Sequence, residues 1–233
     1  MQNSEFWKKH WSASVQENKD IRHMSGWGDR TFQEMLFSIT DIAKKLRLKN
    51  EDILLNIGCG AGIFEIAFSH WVSKIYSIDY SENMVKIAKQ HTSSYKNISI
   101  IQGNICDIPF PDNFFDKILV HAMIQYLNDM EEVDIALREL KRVSKPGSII
   151  SISLLPNKDT KPEYINGFYQ LGLSDEEITK KIEINNLTLW FDKDDLNRRV
   201  EKAGLMVIET GLPVSSFQSK YFFDLVITNK KSI

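Results

Sequence analysis

The chain has 233 residues, 42% of them hydrophobic and 26% charged, with a formal net charge of -2. That length fits one generous domain, or one domain with an added cap, and the composition is that of a globular chain rather than a disordered one. The near-neutral charge leaves no broad positive field to gather nucleic acid or anionic lipid.

The two cysteines, Cys59 and Cys106, lack CxxC spacing. Two reduced thiols are expected, rather than a zinc site or a disulfide framework. Residues 1–11 carry Glu5, Lys8 and Lys9 among aromatics and hold no apolar signal-peptide core. No apolar run approaches the ~20 residues of a membrane helix. A cytoplasmic chain that contacts neither membrane nor nucleic acid is expected. Oligomeric state leaves no mark on the sequence.

Residues 1–30 mix Phe6, Trp7, His10, Trp11, Arg22, His23 and Trp27 with polar groups and show no clean period. Thr31 and Glu34 form a capping box. Phe32, Met35, Leu36, Ile39, Ala43 and Leu46 follow at helical spacing, so 31–47 is an amphipathic helix. Residues 53–57 form a short apolar run that reads as a buried strand. Helix is expected over 62–70 and strand over 74–78. Ser81 can cap a helix over 82–92, with Met84, Val85 and Ala88 inward. Strands follow at 98–101 and 116–120, then a helix at 131–143. Pro146-Gly147 reads as a turn and 148–154 as the fifth strand. Residues 156–187 are polar and irregular. Asp192 caps a last helix that Gly204 stops, and 205–209 and 222–228 are the final strands. Alternating strands and helices from 53 to 155 imply a mostly parallel sheet covered on both faces.

The segment from Ile53 to Gly62 reads ILLNIGCGAG, placing Gly58, Gly60 and Gly62 between a strand and a helix. Glycine lets a backbone turn tightly and approach a ligand closely, and the helix N-terminus offers free N–H groups. Asp79 ends the next strand. An acid there faces the ribose hydroxyls of an adenosine-containing ligand in a doubly wound sheet; alternatively it caps the next helix, a task for which Ser81 is better placed.

Ile53–Gly62 resembles the first motif of class I S-adenosylmethionine-dependent methyltransferases. Residues 76–81 (YSIDYS) resemble the second, 102–116 (QGNICDIPFPDNFFD) the loop after strand three, and 139–147 (ELKRVSKPG) the segment before strand five. Four motifs in order across about 50–155 are jointly specific. Two departures stand out: Asn56 replaces an acid that helps hold the methionine amino group, and Ser148 replaces a second glycine.

The resemblance implies a Rossmann-like, doubly wound α/β fold. A mostly parallel seven-stranded sheet is expected, with an N-terminal helical lid and a helical insert before the last strands. It implies a single domain over 1–233: lid and helix 1–47, cofactor core 50–155, substrate-side insert 156–190, and C-terminal helix and strands 191–233. The implied cofactor is S-adenosylmethionine, leaving as S-adenosylhomocysteine. Expected cofactor contacts are Asn56, Gly58, Gly60, Gly62, Asp79, Tyr80, Met84, Asn104, Ile105 and His121. Asn104 would bond the adenine amino group, the Ile105 N–H would meet adenine N1, and Tyr80 would stack on the ring. A dinucleotide site would show G-x-G-x-x-G, whereas here the glycines alternate. A nicotinamide dehydrogenase is the alternative enzyme, and a silent cofactor-binding protein the alternative without catalysis.

Methyl transfer needs position more than acid or base. His121, after strand four, is the candidate base for a hydroxyl acceptor, or else a packing residue. Expected acceptor contacts are Trp11, Arg22, His23, Gln125, Tyr126 and Tyr169. Tyr164, Phe168 and Trp190 form either a stacking surface or the core of a small cap. No metal is expected: Asp107, Asp112, Asp116 and Asp129 read as solvated loop acids. The expected acceptor is a small molecule, methylated on oxygen, such as a sugar or a precursor of a surface polymer or secondary metabolite. Methylation of a small amine is the runner-up.

Overall fold

The computed structural model describes residues 3–13, 21–24, 31–212 and 216–230. The elements in order are α1 (Asn3–Ala13), α2 (Ile21–Met24), α3 (Phe32–Leu46), β1 (Ile53–Ile57), α4 (Ile63–Phe68), β2 (Lys74–Asp79), α5 (Glu82–His91), β3 (Ile98–Gln102), β4 (Phe115–His121), α6 (Met130–Val143), β5 (Ser144–Pro156), α7 (Lys161–Gly167), α8 (Asp175–Asn186), α9 (Lys193–Lys202), β6 (Leu205–Gly211), α10 (Ser216–Tyr221) and β7 (Phe222–Asn229).

The seven strands lie in the order β3-β2-β1-β4-β5-β7-β6. The first five are parallel, and β7 enters antiparallel between β5 and β6. Neighbouring β1 and β4 mark the point where the winding reverses, so the space beyond their carboxyl ends is open for a ligand.

Period-two side chains decide which layer each residue joins. From β1, Leu55 and Ile57 face α6 and α9, packing with Leu137, Leu140, Leu196 and Val200. Leu54 faces the other way, onto Ile42, Leu46, Phe64 and Phe68 of α3 and α4. Burial on both faces explains why β1 reads as a mostly apolar run, Asn56 apart, with no alternation.

The helix starts are encoded locally. Thr31 and Glu34 make a reciprocal capping box. Asp129 accepts from the Glu131 and Glu132 amides, and Asp192 from the Asp195 amide. Each satisfies amides that have no intrahelical partner.

One feature departs from the sequence reading, and two helical regions that periodicity did not reveal agree with the lid and insert that the resemblance implied. Residues 3–13 form a helix despite their lack of clean period: Trp7 and Trp11, one turn apart, pack on Tyr126, while Lys8 and Ser12 meet Tyr80 and Ser81. Pro146-Gly147 is not a free turn. Strand β5 begins at Ser144, and the pairing register with β4 shifts there, Gly147 having a φ of 83°. The irregular stretch after β5 holds α7 and α8, the latter started by a Ser174–Glu177 capping box.

Among the described residues no helix is long and apolar enough to cross a membrane. Both cysteines are free, Cys59 buried and Cys106 half-buried. Three of the four loop acids are engaged: Asp116 pairs with Lys145, Asp112 with Arg142, and Asp129 caps α6.

Candidate functional site

A cavity of about 320 Å³ opens beyond the carboxyl ends of β1, β2 and β4. Its size lies at the lower end of small-molecule sites. One end is walled by Gly58, Cys59, Gly60, Asp79, Tyr80, Ser81, Met84, Asn104 and Ile105. The other is walled by Trp7, Trp11, Phe64, His121, Gln125, Tyr126, Leu154 and Phe222.

The glycine loop is tied to the sheet. Gly58 and Cys59 donate to the Ile78 carbonyl at 2.8 and 3.2 Å. Gly58 has a φ of 75°, and a Cβ there would stand 2.7 Å from Met123 Cγ. Any side chain would therefore crowd the cavity floor as well as strain the backbone.

Asp79 sits at the tip of β2. Its Oδ2 accepts from the Gly60 amide and its Oδ1 from the Ser81 amide, both at 2.9 Å. Burial raises its pKa, against the two amide bonds that lower it. Ser81 caps α5 through the Met84 amide, so Asp79 is spared that duty. Asn104 lies in the loop after β3, its Oδ1 accepting from the Cys106 amide at 2.9 Å. That local turn points the 104–105 backbone at the cavity.

Helix α1 roofs the cavity. On one side Lys8 lies 5.1 Å from the Tyr80 ring centre, and the Ser12 and Ser81 hydroxyls are 2.9 Å apart. On the other, Trp7 and Trp11 pack on Tyr126 with ring centres 4.3 and 5.7 Å apart. Burial pushes the Tyr126 hydroxyl up to about 12, so it stays protonated. His121 ends β4, with its ring edge-on to Phe64 at 4.9 Å.

Eleven expected positions thus share the cavity wall: Gly58, Gly60, Asp79, Tyr80, Met84, Asn104, Ile105, His121, Trp11, Gln125 and Tyr126. Three do not. Gly62 precedes α4 behind the loop. Tyr169 is 62% exposed on the insert. Asn56 is buried beneath the loop, where its amide donates to Glu65 Oε1 at 2.6 Å. Side chains of Arg22 and His23, and all of Trp27, fall outside the described residues. Tyr164 packs against Phe168, Trp190, Tyr221 and Phe222, so these aromatics form the core of a cap.

Glu65 was not singled out in the sequence. Its signal was one acid inside an otherwise apolar helix, IFEIAF, opposite a strand asparagine. Its Oε1 accepts from both Asn56 and Ser77 at 2.6 Å, while Oε2 has no partner. Burial raises its pKa above the usual carboxylate value. A raised folded-state value means no penalty at pH below the unfolded pKa, and stability lost as pH rises through the folded one. Glu65→Gln removes that loss. Melting temperatures of variant and parent should diverge from pH 5 to pH 8 in the variant's favour. A constant difference would mean that Glu65 does not titrate there.

Residues 55–152 match the family model described as a methyltransferase domain. A demethylmenaquinone methyltransferase of Staphylococcus carnosus is 33% identical over 133 residues, which cover 56% of this chain and 53% of that protein. The chain spans about half the length of the curated relatives it matches. An S-adenosylmethionine-dependent methyltransferase from Aquifex aeolicus superposes with a TM-score of 0.64 at 24% identity, covering 91% of this chain and 100% of the other. The N-methyltransferase NodS of Bradyrhizobium japonicum, solved with S-adenosylhomocysteine, gives 0.68 at 16% identity, covering 98% and 100%. At those identities the likeness establishes the fold. The matched domain, the strand order and the glycine loop with its acid agree: residues 55–152 are similar to a methyltransferase domain, on a fold shared with S-adenosylmethionine-dependent methyltransferases of known structure.

Proposed function

We propose that this chain transfers the methyl group of S-adenosylmethionine to a small, largely apolar molecule. The observation that carries the reading is the Asp79 carboxylate, held by the Gly60 and Ser81 amides at the mouth of a cavity that continues into an aromatic chamber. A side chain at Gly58 would fill the cradle, and Asp79 keeps lone pairs for two ribose hydroxyls. These residues fit the cofactor. When bound, its sulfonium supplies an electrophilic methyl carbon.

The protein's own contribution is placement. Tyr80, Met84, Asn104 and Ile105 hold the adenosine end, and Trp7, Trp11, Tyr126, Phe64 and Phe222 hold the acceptor. Fixing the acceptor atom ~3 Å from the methyl carbon can supply up to about 7–11 kcal/mol. The roof formed by α1 excludes water.

The sugar acceptor expected from the sequence fits this chamber less well. A sugar needs several polar partners, and polar side chains are few at that end. Each oxygen of Glu132, a second carboxylate on the cavity wall, already accepts one bond from Asn128, which fixes it beside its own helix start. A planar, apolar acceptor of the kind named for the Staphylococcus relative matches the walls better.

Calorimetric titration with S-adenosylmethionine and S-adenosylhomocysteine should give heat. Labelled-methyl transfer should then favour reduced naphthoquinones and phenols over sugars and amines. Folded protein that gives no heat with either compound refutes the reading; heat without product from any acceptor leaves a silent binder. His121→Ala should slow turnover, with cofactor affinity unchanged, if the imidazole takes the acceptor's proton; full activity would leave His121 a packing residue.

A further inference from the structure

We propose that Trp7 Nε1 and Gln125 Oε1 form a subsite for a hydroxyl group on the methyl acceptor. The proposal rests on the methyl-transfer reading above. Both side chains line the cavity, and both are almost wholly buried, Trp7 at 5% exposure and Gln125 at 4%. The indole N–H has no acceptor and the Gln125 amide oxygen has no donor. Buried polar atoms are nearly always paired, so each such exception calls for an explanation. Here one orphan is a donor, the other an acceptor, and they flank the same side chain. The Trp7 ring lies 4.3 Å from that of Tyr126, and Gln125 is Tyr126's neighbour in the chain. A hydroxyl can accept once and donate once, so it satisfies both.

The subsite lies at the acceptor end of the cavity. Helix α1 straddles the cavity: Lys8 and Ser12 meet Tyr80 and Ser81 beside Asp79, whereas Trp7 and Trp11 meet Tyr126. The Gln125 carbonyl accepts from Leu189 of the insert. The surrounding walls are aromatic and aliphatic, with Phe64, Leu154 and Phe222 nearby. The acceptor class is therefore a flat apolar molecule with one hydroxyl handle: a site built to bond a hydroxyl discriminates strongly against analogues that lack it.

The test uses the full chain saturated with S-adenosylhomocysteine, titrated with 2-naphthol and with 2-methoxynaphthalene, which accepts but cannot donate. Wild type should bind 2-naphthol at least tenfold more tightly. Gln125→Met should reduce that ratio to about one, and Trp7→Phe should weaken both ligands. S-adenosylhomocysteine affinity should stay within twofold in both variants, which also shows that they fold. A ratio below two in wild type overturns the proposal, as does a ratio that survives Gln125→Met or an absence of 2-naphthol heat. A tenfold loss of S-adenosylhomocysteine affinity in the variants would assign the pair to the cofactor's amino-acid end instead. Folded wild type that gives no heat with S-adenosylhomocysteine would sink the methyl-transfer reading itself.

Discussion

Asp79→Ala should weaken S-adenosylmethionine binding at least tenfold, because it removes a charged hydrogen-bond acceptor worth about 1.5–3 kcal/mol. The loss reaches beyond the ligand. The Gly60 and Ser81 amides both donate to this carboxylate, so the alanine variant also unties the glycine loop from the start of α5. Asp79→Asn separates the two effects, since its single carbonyl can keep one amide but brings no charge. Cofactor affinity should follow pH as well. Burial holds the Asp79 pKa above the ordinary value, so acidification protonates the acceptor early and affinity should fall from there. Titration calorimetry across pH checks both. Unchanged affinity in Asp79→Ala would remove Asp79 from the site.

The largest stability effect is expected at Lys45→Met. The Lys45 ammonium lies 2.6 Å from Asp224 and 2.5 Å from Asp41, and Asp224 is 2% exposed. Burial pulls the Lys45 pKa down, and the two carboxylates more than offset this, leaving it raised. Burial also raises the Asp224 pKa, in spite of the ammonium beside it. Removing the cation strands a buried carboxylate, which costs about 3–5 kcal/mol. Chemical denaturation should show that loss, and Lys45→Met with Asp224→Asn should recover at least half of it. A loss below about 1 kcal/mol would place this pair with the weak surface kind. The pair also touches the site. Asp224 Oδ1 accepts from the Leu154 amide at 2.7 Å, at a bulge of β5 where Leu154 has a φ of 60° and lines the cavity.

Local signals were legible wherever the chemistry is local. The capping residues Thr31, Ser81 and Asp192 each found the amide expected of them or its neighbour, whereas Asp129, read as a solvated loop acid, turned out to cap α6. Strand β1 announced itself by an apolar run broken only at Asn56, because both of its faces are buried. Asn56 shows the limit of such reading. Its place in the motif implied a cofactor contact, but its pleat direction turns it down toward Glu65 and Ser77. Direction in a strand depends on register with its neighbours, which a single segment does not carry. Helix α1 was hidden from periodicity for a related reason, and only the resemblance implied a helical lid there. Two tryptophans one turn apart make too short a stripe to reveal a period, and the surface they cover belongs to Tyr126, more than a hundred residues away.

The sequence by itself determined the alternating α/β architecture, the glycine loop and the acid at the end of the second strand. Those depend on neighbours within a few residues, where spacing and residue type suffice. Only the tertiary structure decided which residues α1 covers, that Glu65 lies under the loop, and that Trp7 and Gln125, each with an unpaired polar atom, line one cavity. Such pairings join residues far apart in the chain. They exist only once the sheet has closed and water has left, because burial alone makes an unpaired donor or acceptor costly.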